Sequence, residues 1–163
     1  MSFIVRKIER AKWMQNDILT GADISADAIT NCMKTKNNCL SAWEVSREDQ
    51  IDDVVLALAS QSEHIETLDV AVLDQTTLIE SGLQLQQTDG VTPIRDLSQR
   101  HRDIVQLSYV SLGVLAGIIV DAIRNNTVQR YTRGTIKNLL GNAIAAGRLN
   151  KEALKENVKV LLG

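Results

Sequence analysis

The stretch IVQLSYVSLGVLAGIIV, from Ile104 to Val120, decides the reading of the fold, because it runs 17 residues without a charge. A helix drawn through it is apolar nearly all round, and such a helix belongs in an interior. Gly113 and Gly117 stand four apart in it, the spacing that lets helix backbones approach closely and that recurs in membrane dimers. A bilayer span needs about 20 apolar residues, and Gln106, Ser108 and Ser111 would each be costly in lipid. The stretch is therefore read as the buried central helix of a water-soluble protein, its glycines admitting a neighbouring helix or strand.

On either side of that stretch, from Thr92-Pro93 onward, only helical periodicity is found, with Pro93 suited to a first helical turn. The helix is predicted to reach about Arg124, where Asn125-Asn126 stops it. A second helix places Ile136, Leu139, Leu140, Ala143 and Ile144 on one stripe and ends near Gly147. A third begins at Asn150, with Leu149 stapled onto Leu154, and buries Leu154, Val158 and Leu161.

The half before Pro93 has a different grain. Phe3 to Ile8 reads as a strand, and Ser25 caps a short helix ending near Lys34, with Asp27 at its positive end and Ile24 stapled onto Ile29. Asn37-Asn38 turns the chain into a strand over Cys39–Val45, whose Cys39, Trp43 and Val45 share a face. Ser46 and Asp49 resemble a capping box ahead of a helix carrying Ile51, Val54, Val55 and Leu58. Leu68 to Leu73 predicts a buried strand, and Leu78-Ile79 a brief helix stopped by Gly82. An edge strand near Leu83 and Leu85 precedes the Asp89-Gly90 turn. The expected fold class is α+β. Residues 1–90 supply a small sheet of three to four short strands with interspersed helices, and residues 91–163 supply about three helices, in one domain of 163 residues.

Composition narrows the functional classes. Aromatics are few (Phe3, Trp13, Trp43, Tyr109 and Tyr131), which weakens any aromatic platform for nucleic-acid bases. Cys32 and Cys39, seven apart, match neither a zinc-ribbon spacing nor a disulfide framework, so a reducing cytosol is expected. Met1 to Lys7 carries no extended apolar run behind its basic residues, so a cleaved signal peptide is not expected. The net charge of −2 hides an asymmetry. Residues 1–90 hold 7 Lys and Arg against 15 Asp and Glu, net −8, while residues 91–163 hold 11 against 5, net +6. Such halves can attract each other, their own copies or two kinds of partner.

No motif names a reaction. His101-Arg102-Asp103 has the first letters of a kinase catalytic loop, but Ser108 stands where that loop needs Asn, and the tripeptide lies in a predicted helix. His64 and His101 have no second ligand at a metal-binding interval, so neither a metal site nor a cofactor is expected. Neither a GxGxxG nor a GxxxxGK[ST] phosphate cradle is present, nor a GxSxG elbow. Glu48, Asp49, Asp52 and Asp53 gather at a helix start, where they suit the macrodipole and offer a surface to a basic partner. Arg124, Arg130, Arg133 and Lys137, with Tyr131 among them, offer phosphate contacts. The expected function is a cytosolic protein-binding module, of the inhibitor, immunity or antitoxin kind, using the four acids against a basic protein. Alternatives are a nucleic-acid-associated regulator using the four basic residues, and an enzyme with a site assembled from scattered residues. Self-association into a homodimer is a further expectation.

Overall fold

Strands drawn from both halves of the chain build a single sheet. The computed structural model describes residues 2–13 and 24–163. Its strands are β1 (Phe3–Ile8), β2 (Leu40–Val45), β3 (Leu68–Asp74), β4 (Gln84–Gln87), β5 (His101–Val105) and β6 (Val128–Tyr131). They lie in the order β4-β5-β2-β1-β3-β6, with every neighbouring pair antiparallel. The class is α+β as expected, and residues 1–90 supply four of the strands. Residues 91–163 are not all helical, however, since they contribute β5 and β6.

Helices cover both faces, and the alternation along the strands sorts side chains between two cores. One core holds Ile4, Ile8, Ala42, Ala71, Leu73 and Ile104 under α1 (Arg10–Trp13), α2 (Ala26–Cys32), α4 (Gln75–Glu80) and α6 (Tyr109–Arg124). The other holds Val5, Trp43, Val45, Leu68, Val70 and Tyr131 under α3 (Ile51–Ala59), α5 (Arg95–Ser98), α7 (Arg133–Ala145) and α8 (Glu156–Leu162). A sheet covered on both faces has central strands that are apolar at nearly every position, which is how Leu68 to Leu73 reads.

The uncharged stretch is two elements. Ile104 and Val105 end β5, Gln106 turns in the left-handed region at φ 55°, and Ser108 opens α6. The Ser108 hydroxyl accepts from the Ser111 N–H, and the Ser111 hydroxyl accepts from the Ser108 N–H, so each serine satisfies an end group of the other. Burial follows one stripe, Leu115, Ala116, Ile119, Val120, Ala122 and Ile123, each large member contributing about 1.5–3 kcal/mol of gross transfer energy. The opposite side faces outward, with Tyr109 94% and Val110 72% exposed, so α6 is a one-sided cover and not a buried central helix. Gly113 and Gly117 lie on that outer side, where an added Cβ would meet nothing within 4 Å; among the described residues they admit no neighbour. Among the described residues no helix is long and apolar enough to cross a membrane.

Smaller differences have local causes. Ser25 caps α2 as predicted, accepting from Ala28 N–H at 3.1 Å. Asn37 and Asn38, both with positive φ, form the two-residue turn closed by the Lys36–Cys39 bridge. The box expected from Ser46 and Asp49 is not formed. Gln50 instead reaches back to the Ser46 N–H at 2.9 Å, because a short 3-10 turn, Glu48–Gln50, shifts the start of α3. In the last segment the chain breaks between Leu154 and Glu156, and this resets the phase of α8. Leu162 therefore packs inward, and Leu161 is 39% exposed where burial was expected.

Candidate functional site

The four acids of the second helix start divide between two tasks. Asp53 lies on the inner side of α3, where Oδ2 accepts from Arg100 at 3.0 Å and Oδ1 from Arg148 at 2.6 Å. Arg148 also donates to Asp96 at 2.7 Å through Nη2 and 3.1 Å through Nε, and its two carboxylates hold its pKa above the usual guanidinium range. This network ties α3, α5, the start of β5 and the segment after α7 together. Asp52 accepts from the Tyr131 hydroxyl at 2.8 Å, and burial, reinforced by that carboxylate, pushes the phenol pKa upward. Asp49 pairs with its neighbour Arg47, whose hydrogen bonds hold its carboxyl below the usual range, and both side chains are exposed. Glu48 is exposed and has no ion pair among the described residues.

Glu48 belongs to a different cluster, which sequence spacing does not reveal. It lies on a groove of about 450 Å³ lined also by Phe3, Val72 and Ile118, together with Asp74 and Asp121. Three elements bring the carboxylates together: the 3-10 turn after β2, the junction of β3 with α4, and the last turns of α6. Asp74 caps α4, its Oδ2 accepting from the Thr77 N–H at 3.0 Å and the Thr77 hydroxyl at 2.9 Å. These bonds hold its pKa below the usual carboxylate range. Its Oδ1 is buried without a hydrogen-bond donor among the described residues. Among the described residues Asp121 pairs with Arg124 of its own helix, at 3.6 Å between exposed groups. The groove is thus lined by three carboxylates and by apolar side chains, and carries one acceptor that no described residue satisfies. The Asp74-x-x-Thr77 spacing is a readable cap signal; nothing in the sequence places Asp121 beside it.

The four basic residues fall in three places. Arg124 ends α6 over one face of the sheet, whereas Arg133 and Lys137, one helical turn apart, are exposed on α7 over the other. Arg130, on the edge strand β6, lies 3.5 Å from the buried carboxylate of Asp69. Tyr131 is buried against the α3 and α7 layer and presents no stacking face.

His101-Arg102-Asp103 lies in β5, not in a helix. The Thr88 hydroxyl is 2.7 Å from His101 Nδ1 and donates to Asp103 Oδ2 at 3.0 Å. A hydroxyl has one proton; given to the carboxylate, it leaves Thr88 accepting from an Nδ1–H. The imidazole therefore donates to the hydroxyl, the reverse of the order in which a histidine base activates a nucleophile. The ring meets Trp43 edge to face at 5.1 Å, and burial lowers its pKa. Gly90 lies against the Trp43 ring and the His101 Cβ; a Cβ there would come within 2.7 Å of the first and 2.9 Å of the second, so no larger residue fits without displacing them. The cluster fastens the Asp89-Gly90 turn and the end of β4 to the sheet. His64 is exposed, beside a shallow cavity of about 270 Å³ shared with Lys7, Glu63 and Glu66. Among the described residues no group of three or more His, Cys, Asp or Glu is arranged to hold a metal ion. Compared with known proteins, the chain matches no protein family, no curated protein and no solved structure.

Proposed function

We propose that this chain is a cytosolic protein-binding module, of the inhibitor, immunity or antitoxin kind, which receives a basic segment of a partner protein in the acid-rimmed groove. One observation carries the reading: Glu48, Asp74 and Asp121 come from three separate elements to one partly apolar depression, and Asp74 there holds a buried oxygen with no donor among the described residues. A lysine or arginine side chain suits such a place, its aliphatic stem lying on Phe3 and Ile118 while its charged head reaches the rim. Of the acids expected to bind a partner, Glu48 keeps that role. Asp52 and Asp53 are occupied by Tyr131, Arg100 and Arg148, and Asp49 by Arg47. The nucleic-acid alternative would rest on Arg133 and Lys137, since Arg124 lies across the sheet and Arg130 faces Asp69.

The test is capture from extract of the source cells on immobilised wild type, on an Asp49→Asn control, and on the triple variant Glu48→Gln, Asp74→Asn, Asp121→Asn. Asn retains the capping ability of Asp74, so the variant removes charge without removing the cap. A basic protein held by the first two, and reduced about tenfold or more on the triple variant and at raised salt, is the expected result. Identical capture on all three, or none on any, overturns the proposal.

A further inference from the structure

The sheet is open at its centre. β1 and β2 pair only at Phe3, Ile4 and Val5. Beyond them Arg6, Lys7 and Ile8 stay with β3, opposite Ala71, Val70 and Asp69, while Leu40, Ser41 and Ala42 stay with β5, opposite Ile104, Asp103 and Arg102. The two central strands therefore part, and a cavity of about 320 Å³ lies beside the parting. Its walls come from both covering layers, Asn31 and Cys32 from α2 on one face, Leu58 from α3 and Trp43 on the other.

Arg6 stands in this opening. Strand alternation sends its side chain to the face of Ile4 and Ile8, which is otherwise apolar. Its Nη1 donates to the Ser41 carbonyl and its Nη2 to the Cys32 carbonyl, so the two Nη groups fasten β1 to β2 and to the end of α2. Both acceptors are neutral. Nε is buried with no acceptor, and among the described residues no carboxylate pairs with the guanidinium. Glu9, also on the cavity, is held by Lys12 at 2.6 Å, and Asp103 accepts from the Ser41 hydroxyl at 3.3 Å. Burial draws the pKa of Arg6 down to about 10, which still leaves it charged at neutral pH. Buried charges are ordinarily paired, because an uncompensated one is costly to keep from water. Lys7 adds a second cation to the same cavity and has no ion pair among the described residues.

We propose that this cavity binds a small organic carboxylate, whose anionic group accepts from Arg6 Nε and is drawn to Lys7, and whose apolar body lies against Ile8, Trp43 and Leu58. The missing countercharge of Arg6 calls for an anion, and the walls select its class. Few donors remain: Asn31 spends its amide on the Asp27 carbonyl, and the Ser41 hydroxyl is given to Asp103. A carboxylate asks little of them, whereas phosphate brings more oxygens and up to a second charge, which would be left short of donors among apolar side chains. A mostly apolar wall with a few converging polar groups is the usual make-up of a small-molecule site.

Benzoate and hexanoate, the neutral benzamide, and inorganic phosphate, each titrated into the isotope-labelled full chain, test this. At least one of the two acids is expected to give saturable shifts of the Lys7, Asn31, Cys32 and Ser41 amides, with a dissociation constant of about 1 mM or tighter, as suits ligands of their size. Benzamide is expected to bind about tenfold more weakly or worse, and phosphate to leave these amides unmoved. Arg6→Lys keeps the charge and loses the Nε donor, and is expected to weaken the acid about tenfold. Where Arg6→Lys does not fold, the comparison of acid with amide on wild type decides alone. No saturable shift with either acid, benzamide binding as tightly as benzoate, phosphate binding at the same amides, or a folded Arg6→Lys variant that binds as wild type does, each overturns the proposal. None of these results touches the acidic groove, because Glu48, Asp74 and Asp121 line a separate depression.

Discussion

Asp53 and Asp74 are both carboxylates near the start of a helix, and the protein uses them in opposite ways. Asp53 is surrounded: two arginines from sequence positions 47 and 95 residues away close on its two oxygens. Asp74 has one oxygen capping α4 and the other buried with no donor among the described residues. An acidic group whose partners come from its own chain is part of the scaffold. One left short of a donor beside two other carboxylates is available to something outside. Charge density along the sequence does not separate the two; the partners folding brings to them do.

The sharpest way to break this comparison is to measure stability on both sides of it. Asp53→Ala should lower the free energy of unfolding by about 2 kcal/mol in urea titration, since it strips two partly buried arginines of a shared acceptor. A loss under about 0.5 kcal/mol would make the network ornamental. Tyr131→Phe should lose about 1 kcal/mol, the usual net value of one hydrogen bond, and Asp52→Asn no more than that. Glu48→Gln and Asp121→Asn should stay within about 0.5 kcal/mol of wild type, as expected of exposed surface carboxylates. A large loss from either would move the groove into the scaffold.

A pH dependence sharpens the same contrast at the other end of the sheet. Burial holds the folded pKa of His101 below its ordinary value of 6.5, so at mildly acidic pH the unfolded chain binds a proton that the folded chain refuses. The stability associated with neutral His101 is therefore fully present above 6.5. It is lost as pH falls from there toward the lower folded pKa, and is constant below that. Thermal melts between pH 7 and pH 5 should show this small decline in wild type and a flatter profile in His101→Gln. Equal slopes would show that the ring is not buried against Trp43 as described.

Much of the sheet is legible in residues whose local signals agree with the fold: Phe3 to Ile8, the Asn37-Asn38 turn and the apolar run from Leu68 to Leu73. The reading fails where short-range signals are silent. Ile104-Val105 ends a strand, but its apolar character continues into α6 without a charge, glycine or proline, and the turn falls on Gln106, which seldom adopts positive φ. Only the Ser108-x-x-Ser111 box marks the boundary. β6 is four residues long, with Val128 facing one core and Tyr131 the other, so no single-face pattern announces it. The groove is illegible for a related reason. Glu48, Asp74 and Asp121 are separated by two stretches of chain longer than any periodicity can bridge, and the pairing of β1 with both β2 and β3, with α6 packed on β3, brings them together.

The most direct test of the groove as the binding site is a chemical-shift map, in which the isotope-labelled chain is titrated with a synthetic amphipathic peptide rich in lysine and arginine. Perturbed amides should gather at Phe3, Asp74, Thr77, Ile118 and Asn125, and the perturbations should shrink as salt is raised. Perturbations centred instead on Asp52, Asp53 and Asp96, or spread evenly over the acidic surface, would contradict the division between scaffold and binding carboxylates.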